Sequence, residues 1–71
     1  MTIGNGIQGI GSGAFATYGS KLVTLTIGKT VAEVQAMGQT DYNYETNVPY
    51  SEWGLPSGST IVCTDDTITI E

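Results

Sequence analysis

The chain has 71 residues, with two lysines against seven acidic residues, no histidine and a formal net charge of −5. That charge argues against binding to nucleic acid or to an anionic membrane, because both need clustered lysine and arginine. The length allows one domain with a marginal core, so a protein partner or a homo-oligomer would add stability. No apolar run reaches the roughly 18 residues of a membrane span, and the N-terminus carries no recognisable signal peptide.

The first element in chain order is a glycine-rich segment, residues 1–14. Its Gly4–Gly9 stretch has the G-x-G-x-x-G spacing of a dinucleotide-binding turn, which needs a buried strand before it and a helix after it. Three residues precede the motif and two glycines follow closely, so we predict no phosphate or cofactor site. We predict instead an N-terminal arm that becomes ordered by docking. Its candidate docking residues are Ile3, Ile7 and Ile10.

The second element, residues 15–27, is predicted to be a β-hairpin. Gly19-Ser20 supplies a glycine in the first position of the turn, as a type II′ turn requires, and apolar residues alternate with threonine after it. A short helix follows, because Thr30 and Glu33 have the spacing of a capping box and Gly38 is a typical C-terminal stop. A helix of about seven residues is unstable alone and must pack on a sheet.

The rest of the chain predicts short strands separated by turns. Residues 41–44 and 48–50 have the pattern of brief extended segments, and Pro49 places the second at an edge. Thr60–Thr64 is a strong strand, and residues 67–70 alternate threonine with isoleucine as a final strand. The predicted fold class is therefore α+β, a small mixed sheet packed on one short helix, with the body in residues 15–71 and the arm in residues 1–14.

Residues 21–64 resemble the β-grasp fold of ubiquitin-like proteins and of the small sulfur carriers of thiamine and molybdopterin synthesis. Two stretches carry the resemblance. In KLVTLTIGKTVAEVQAMG a strand leads into a capped helix, and NVPYSEWGLPSGSTIVC is similar to the end of those carriers in its apolar and glycine positions. Those families act through a C-terminal Gly-Gly, whereas this sequence ends Thr69-Ile70-Glu71. The resemblance therefore implies the fold but not the carrier chemistry.

Patterns for catalysis and metal binding are weak. No histidine is present to act as a base for a nucleophile, and the only cysteine, Cys63, is predicted to be a buried structural thiol within the strong strand. Asp65-Asp66 lacks the six to eight oxygen ligands of a calcium site, so we predict a turn there. We therefore expect no enzyme activity, no cofactor and no metal.

Aromatic residues cluster in residues 41–53, DYNYETNVPYSEW, which hold three of the four tyrosines and the only tryptophan. Such side chains anchor protein interfaces, but they can equally complete a small core with their polar atoms at its rim. Both alternatives stay open at the level of sequence. The candidate partner-binding residues are Tyr42, Tyr44, Tyr50 and Trp53, together with Ile3, Ile7 and Ile10 of the arm.

The composition favours a non-catalytic binding or structural protein. The glycine-rich arm, the threonine-rich strands and the low content of charged residues, 13%, indicate a small phage or viral accessory protein on a capsid or another virion assembly. The expected location is the virion or the host cytoplasm. The alternative is a small acidic inhibitor that blocks a host enzyme or defence complex by protein–protein contact.

Overall fold

The computed structural model describes residues 1–71, apart from the side chain of Tyr18. A four-stranded mixed sheet packs with one short helix, which confirms the predicted α+β class. The strands are β1 (Thr2–Ile3), β2 (Thr24–Ile27), β3 (Thr60–Val62) and β4 (Thr67–Thr69), and the helix is α1 (Val31–Ala36). Two short 3₁₀ helices cover Ala16–Tyr18 and Tyr50–Glu52.

The strand order in the sheet is β1-β2-β3-β4. Strands β1, β2 and β3 run parallel, and β4 is antiparallel to β3. The tight turn between β3 and β4 is at Thr64-Asp65, one residue earlier than the predicted Asp65-Asp66 turn. The backbone N–H of Cys63 donates to the carbonyl of Asp66 at 2.8 Å within that turn. The final strand therefore joins the chain's own sheet, as the alternation of threonine and isoleucine predicted.

The predicted hairpin over residues 15–27 is wrong in its first half. Ala16–Tyr18 forms a 3₁₀ helix instead of a strand, and β2 lies between two parallel neighbours. The reason is that Phe15 is buried in the core and its backbone N–H donates to the Trp53 carbonyl at 2.8 Å. That contact holds residue 15 beside the aromatic segment and leaves no second strand for a hairpin.

The short strand predicted at residues 41–44 is also wrong. The chain makes a tight turn there, closed by a single bridge between Asn43 and Asn47. The side-chain oxygen of Asn43 accepts a hydrogen bond from the Glu45 N–H at 3.0 Å. Asparagine side chains compete in this way with strand pairing and favour turns.

Helix α1 follows its local sequence signals. The Thr30 hydroxyl accepts from the Glu33 N–H at 3.2 Å, and the Glu33 carboxylate accepts from the Thr30 N–H at 2.9 Å, which confirms the capping box. Gly38 ends the helical region with a φ of +77°. A Cβ atom at Gly38 would collide with the backbone of Val48 and Pro49, so only glycine fits there.

The core lies on one face of the sheet, where α1 and the connecting segments cover it. Leu25, Ile27 and Ile61 of the sheet are buried, whereas Thr24 and Thr26 are exposed on the opposite face. The remaining buried apolar residues are Ile10, Phe15, Val23, Val34, Met37, Val48, Trp53, Leu55, Cys63 and Ile68. No helix in the described part of the chain is long and apolar enough to cross a membrane.

The glycine-rich segment packs on the chain's own body. Ile10 is only 6% exposed, and its carbonyl accepts a hydrogen bond from the Val48 N–H at 2.9 Å. Ile3 and Ile7 are half-buried against the same core. Strand β1 lies at the edge of the sheet beside β2. The surface on which residues 1–14 dock is therefore this chain itself.

Candidate protein-binding surface

Residues 41–47, which we call the tyrosine loop, are braced by their asparagines. The Asn47 side-chain amide donates to the Asp41 carbonyl at 2.8 Å, and Asn43 and Asn47 exchange two backbone hydrogen bonds at 2.7 and 2.6 Å. A further bond joins the Ser12 N–H to the Tyr44 carbonyl at 3.1 Å. The loop is thus held internally and also tied to the N-terminal segment.

Two of the predicted site residues project from this loop into solvent. Tyr42 is 51% exposed and Tyr44 is 65% exposed, and both count among the large apolar residues that stay accessible. Aromatic rings in that position expose area that a partner can bury without first ordering a flexible side chain. The tyrosine loop therefore presents two anchor side chains of the kind that protein interfaces use.

Glu52 lies beside Tyr42, although the two are ten residues apart. The Tyr42 hydroxyl donates toward the Glu52 carboxylate, with oxygen–oxygen distances of 3.3 and 3.2 Å. Partial desolvation raises the pKa of the Tyr42 phenol, and the negative charge of Glu52 acts in the same direction. The phenol therefore stays protonated at neutral pH and remains a donor to this carboxylate.

We define the acidic tyrosine surface as Asp41, Tyr42, Tyr44, Glu45 and Glu52. All five residues are exposed, and three of them carry a negative charge that no lysine in this set offsets. The pairing of Tyr42 with Glu52 could not be read from the sequence, because no periodic element spans the two positions. Its only signal was that both fall within the aromatic segment.

Trp53 and Ile10 are core residues and not part of an exposed surface. Trp53 has no solvent exposure, and its indole N–H donates to the Val48 carbonyl at 2.9 Å. The rings of Phe15 and Tyr50 contact it, with centroids at 6.2 and 6.3 Å. Trp53 is therefore a core residue, as the second alternative predicted.

An open groove lies next to the acidic tyrosine surface. It has a volume of about 210 Å³ and is lined by Tyr50, Ser51, Thr69, Ile70 and Glu71. Tyr50 is half-buried at this position, between the groove and Trp53. Ser51 in its lining precedes Glu52 in the 3₁₀ helix Tyr50–Glu52, so the groove lies near Glu52.

The other candidate groups have structural roles. Cys63 is buried, as predicted; burial raises the pKa of its thiol, and the charges of Asp65 and Asp66 act in the same direction. A protonated buried thiol is a poor nucleophile. Among the side chains that the structure describes, no group of three histidine, cysteine or acidic residues is arranged to hold a metal ion.

Comparison with known proteins gives no family assignment. The chain matches no family model, and comparison with curated proteins and with solved structures finds no significant match.

Proposed function

We propose that the chain is a non-catalytic binding protein that contacts a protein partner through the acidic tyrosine surface. The observation that carries the proposal is the pair of exposed rings, Tyr42 and Tyr44, on a loop that asparagine hydrogen bonds already hold in place. A preorganised loop loses little conformational entropy on binding, so more of the contact energy contributes to affinity.

The setting that we propose is a virion, where the protein would be a small phage or viral accessory component of a capsid or similar assembly. Composition alone supports this setting, through the threonine-rich strands and the low charge. The alternative setting is inhibition of a host enzyme or defence complex. The three carboxylates around the tyrosines favour that alternative, because an acidic surface attracts a basic site on a target.

We also retain the β-grasp fold as a proposal for the family of the body. Strand β2, the capped helix α1 and the parallel strand β3 support it, since these elements follow the expected order. The absence of the opening hairpin counts against it.

The test is partner capture from the source cells or particles with the whole chain as bait. The variant Tyr42→Ala/Tyr44→Ala should reduce recovery of a stoichiometric partner at least about tenfold, because two anchor residues are lost. The matched control is Leu22→Ala, which removes an exposed apolar side chain elsewhere. Circular dichroism checks that each variant is folded.

The outcomes separate the settings. A virion protein as partner supports the first setting, a host enzyme supports the alternative, and a second copy of this chain, measured by sedimentation, indicates a homo-oligomer. Equal recovery with the double tyrosine variant and with the Leu22 variant would show that binding uses another surface. A monodisperse monomer without any partner would contradict the proposed function.

A further inference from the structure

We propose that the partner of the acidic tyrosine surface is an extended basic segment whose arginine is held between the Tyr42 ring and the Glu52 carboxylate. This inference rests on the proposed function and deepens it by giving the chemistry of the partner. It follows from where the acidic residues lie, what they contact, and what the exposed rings can bind.

The acidic residues divide into two groups by what they do in the fold. Glu33, Asp65 and Asp66 each accept a backbone hydrogen bond, at 2.9, 2.9 and 2.8 Å, so their charges serve the helix and the β3–β4 turn. The other four belong to the acidic tyrosine surface and the adjoining groove: Asp41, Glu45, Glu52 and Glu71. Three of the seven acidic residues therefore lie on the acidic tyrosine surface, and a fourth lines the groove.

The chemistry of this surface matches a guanidinium group. A guanidinium is planar, stacks on the face of an aromatic ring, and donates two parallel hydrogen bonds to a carboxylate. Tyr42 offers the ring, and its hydroxyl holds Glu52 at 3.2–3.3 Å. An arginine stacked on this ring would thus lie beside a carboxylate that the Tyr42 hydroxyl already contacts.

The groove indicates that the bound segment is extended. Its lining by Thr69, Ile70 and Tyr50 provides apolar contacts, and Glu71 adds a further acceptor. Because Ser51 in this lining is the neighbour of Glu52, we expect the residues beside the arginine to extend into the groove. A nucleic acid would be repelled here, because its phosphates carry the same sign of charge as the surface.

The probe is an N-acetylated and C-amidated peptide of alternating glycine and arginine, compared with peptides in which lysine or glutamine replaces arginine. We expect the order arginine, then lysine, then glutamine in affinity, with shifts of the Tyr42 and Tyr44 proton resonances. Affinity should fall as salt is added, because the pair is exposed. We expect a Kd of about 1 mM, which an NMR titration can follow.

Two variants with the same net charge make the test specific. Glu52→Gln should weaken binding of the arginine peptide about tenfold, the effect expected when a charge-assisted hydrogen bond is lost. Glu33→Gln removes one negative charge away from the surface and should change affinity less than about twofold. Tyr42→Leu, which keeps an apolar side chain but no π face, should also weaken binding and should remove the preference for arginine over lysine.

Equal binding of the glutamine peptide, equal losses in the two glutamine variants, or no shift of the tyrosine resonances would overturn the inference. These results differ from failure of the proposed function. If a captured partner is lost with Tyr42→Ala/Tyr44→Ala but the arginine peptide does not bind, the surface is an interface for a partner of different chemistry.

Discussion

Ser59 is the buried polar residue of the described core, and it links two strands at their starts. Only 1% of its surface is exposed, and its hydroxyl oxygen accepts a hydrogen bond from the Val23 N–H at 3.0 Å. The Val23 carbonyl in turn accepts from the Thr60 N–H at 3.0 Å. Ser59 thereby extends the pairing of β2 with β3 by one residue.

At the scale of single residues, Ser59→Ala should lower the free energy of unfolding by about 1–3 kcal/mol, because the buried Val23 N–H loses its partner. The measurement is urea unfolding followed by circular dichroism. Ser57→Ala is the matched control, since Ser57 is exposed two residues earlier, and it should change stability by less than about 0.5 kcal/mol. Equal effects of the two substitutions would show that the Ser59 hydrogen bond contributes nothing.

Single residues also show where sequence reasoning ends. The aromatic segment was identifiable from its composition, but which ring is exposed depends on packing against Phe15 from a distant part of the chain. Likewise, the sequence Gly-Ser-Thr around Ser59 predicts an ordinary turn residue and not a buried one. Burial of a polar side chain becomes visible only when its partner, 36 residues away, is known.

Helix α1 is the element that the sequence predicts best, because its signals are local. The capping box involves residues three positions apart, and Gly38 comes immediately after the C-cap residue Met37. What the sequence does not contain is the added cap from Asp65, which accepts a hydrogen bond from the Val31 N–H at 2.9 Å. The hairpin prediction failed because strand pairing, unlike helix capping, is decided by residues that are distant in the chain and not by the turn alone.

At the scale of this element, the capping box predicts a dependence on pH. The backbone N–H of Thr30, by donating to Glu33, lowers the pKa of that carboxyl; the Thr30 hydroxyl and the charge of Lys29 act in the same direction. Because the pKa of Glu33 is lowered in the folded state, the charged Glu33 carboxylate adds stability above its reference pKa of 4.5. This stability is lost as the pH falls through the lower, folded value.

Glu33→Gln should therefore reduce the urea midpoint at pH 7, and the difference from the unchanged protein should shrink as the pH is lowered through the acidic range. Glutamine keeps the hydrogen-bond acceptor of the capping box, so the comparison isolates the charge. Glu45→Gln, on the exposed tyrosine loop, is the control for a general change in net charge. A Glu33→Gln effect that does not depend on pH would contradict the assignment.

At the scale of the whole molecule, the N-terminal segment packs more closely against the body than its glycine-rich composition predicts. Glycine-rich sequence was expected to form a separate arm, because each glycine raises the entropy cost of ordering. In the fold, however, a Cβ atom at Gly9 or Gly11 would collide with the backbone of Thr46 or Glu45. These two glycines allow residues 9–12 to run directly against the tyrosine loop. The glycines thus serve close approach, a use that composition alone does not reveal.

This arrangement changes what deletion of residues 1–14 should do. A separate arm, as predicted from the sequence, would leave the body folded when deleted. The structure instead places Ile10 in the core, where its carbonyl accepts a hydrogen bond from the Val48 N–H. Loss of one buried isoleucine side chain costs about 2–5 kcal/mol, and a 71-residue domain has about 4–10 kcal/mol in total. Because β1 is lost as well, the truncated chain should not unfold cooperatively in urea. Ile10→Ala should lower the free energy of unfolding without abolishing the transition, and by more than Ile7→Ala, because Ile7 is only half-buried. A truncated chain that keeps a cooperative transition and a buried Trp53, measured by fluorescence, would instead establish residues 1–14 as a separate arm.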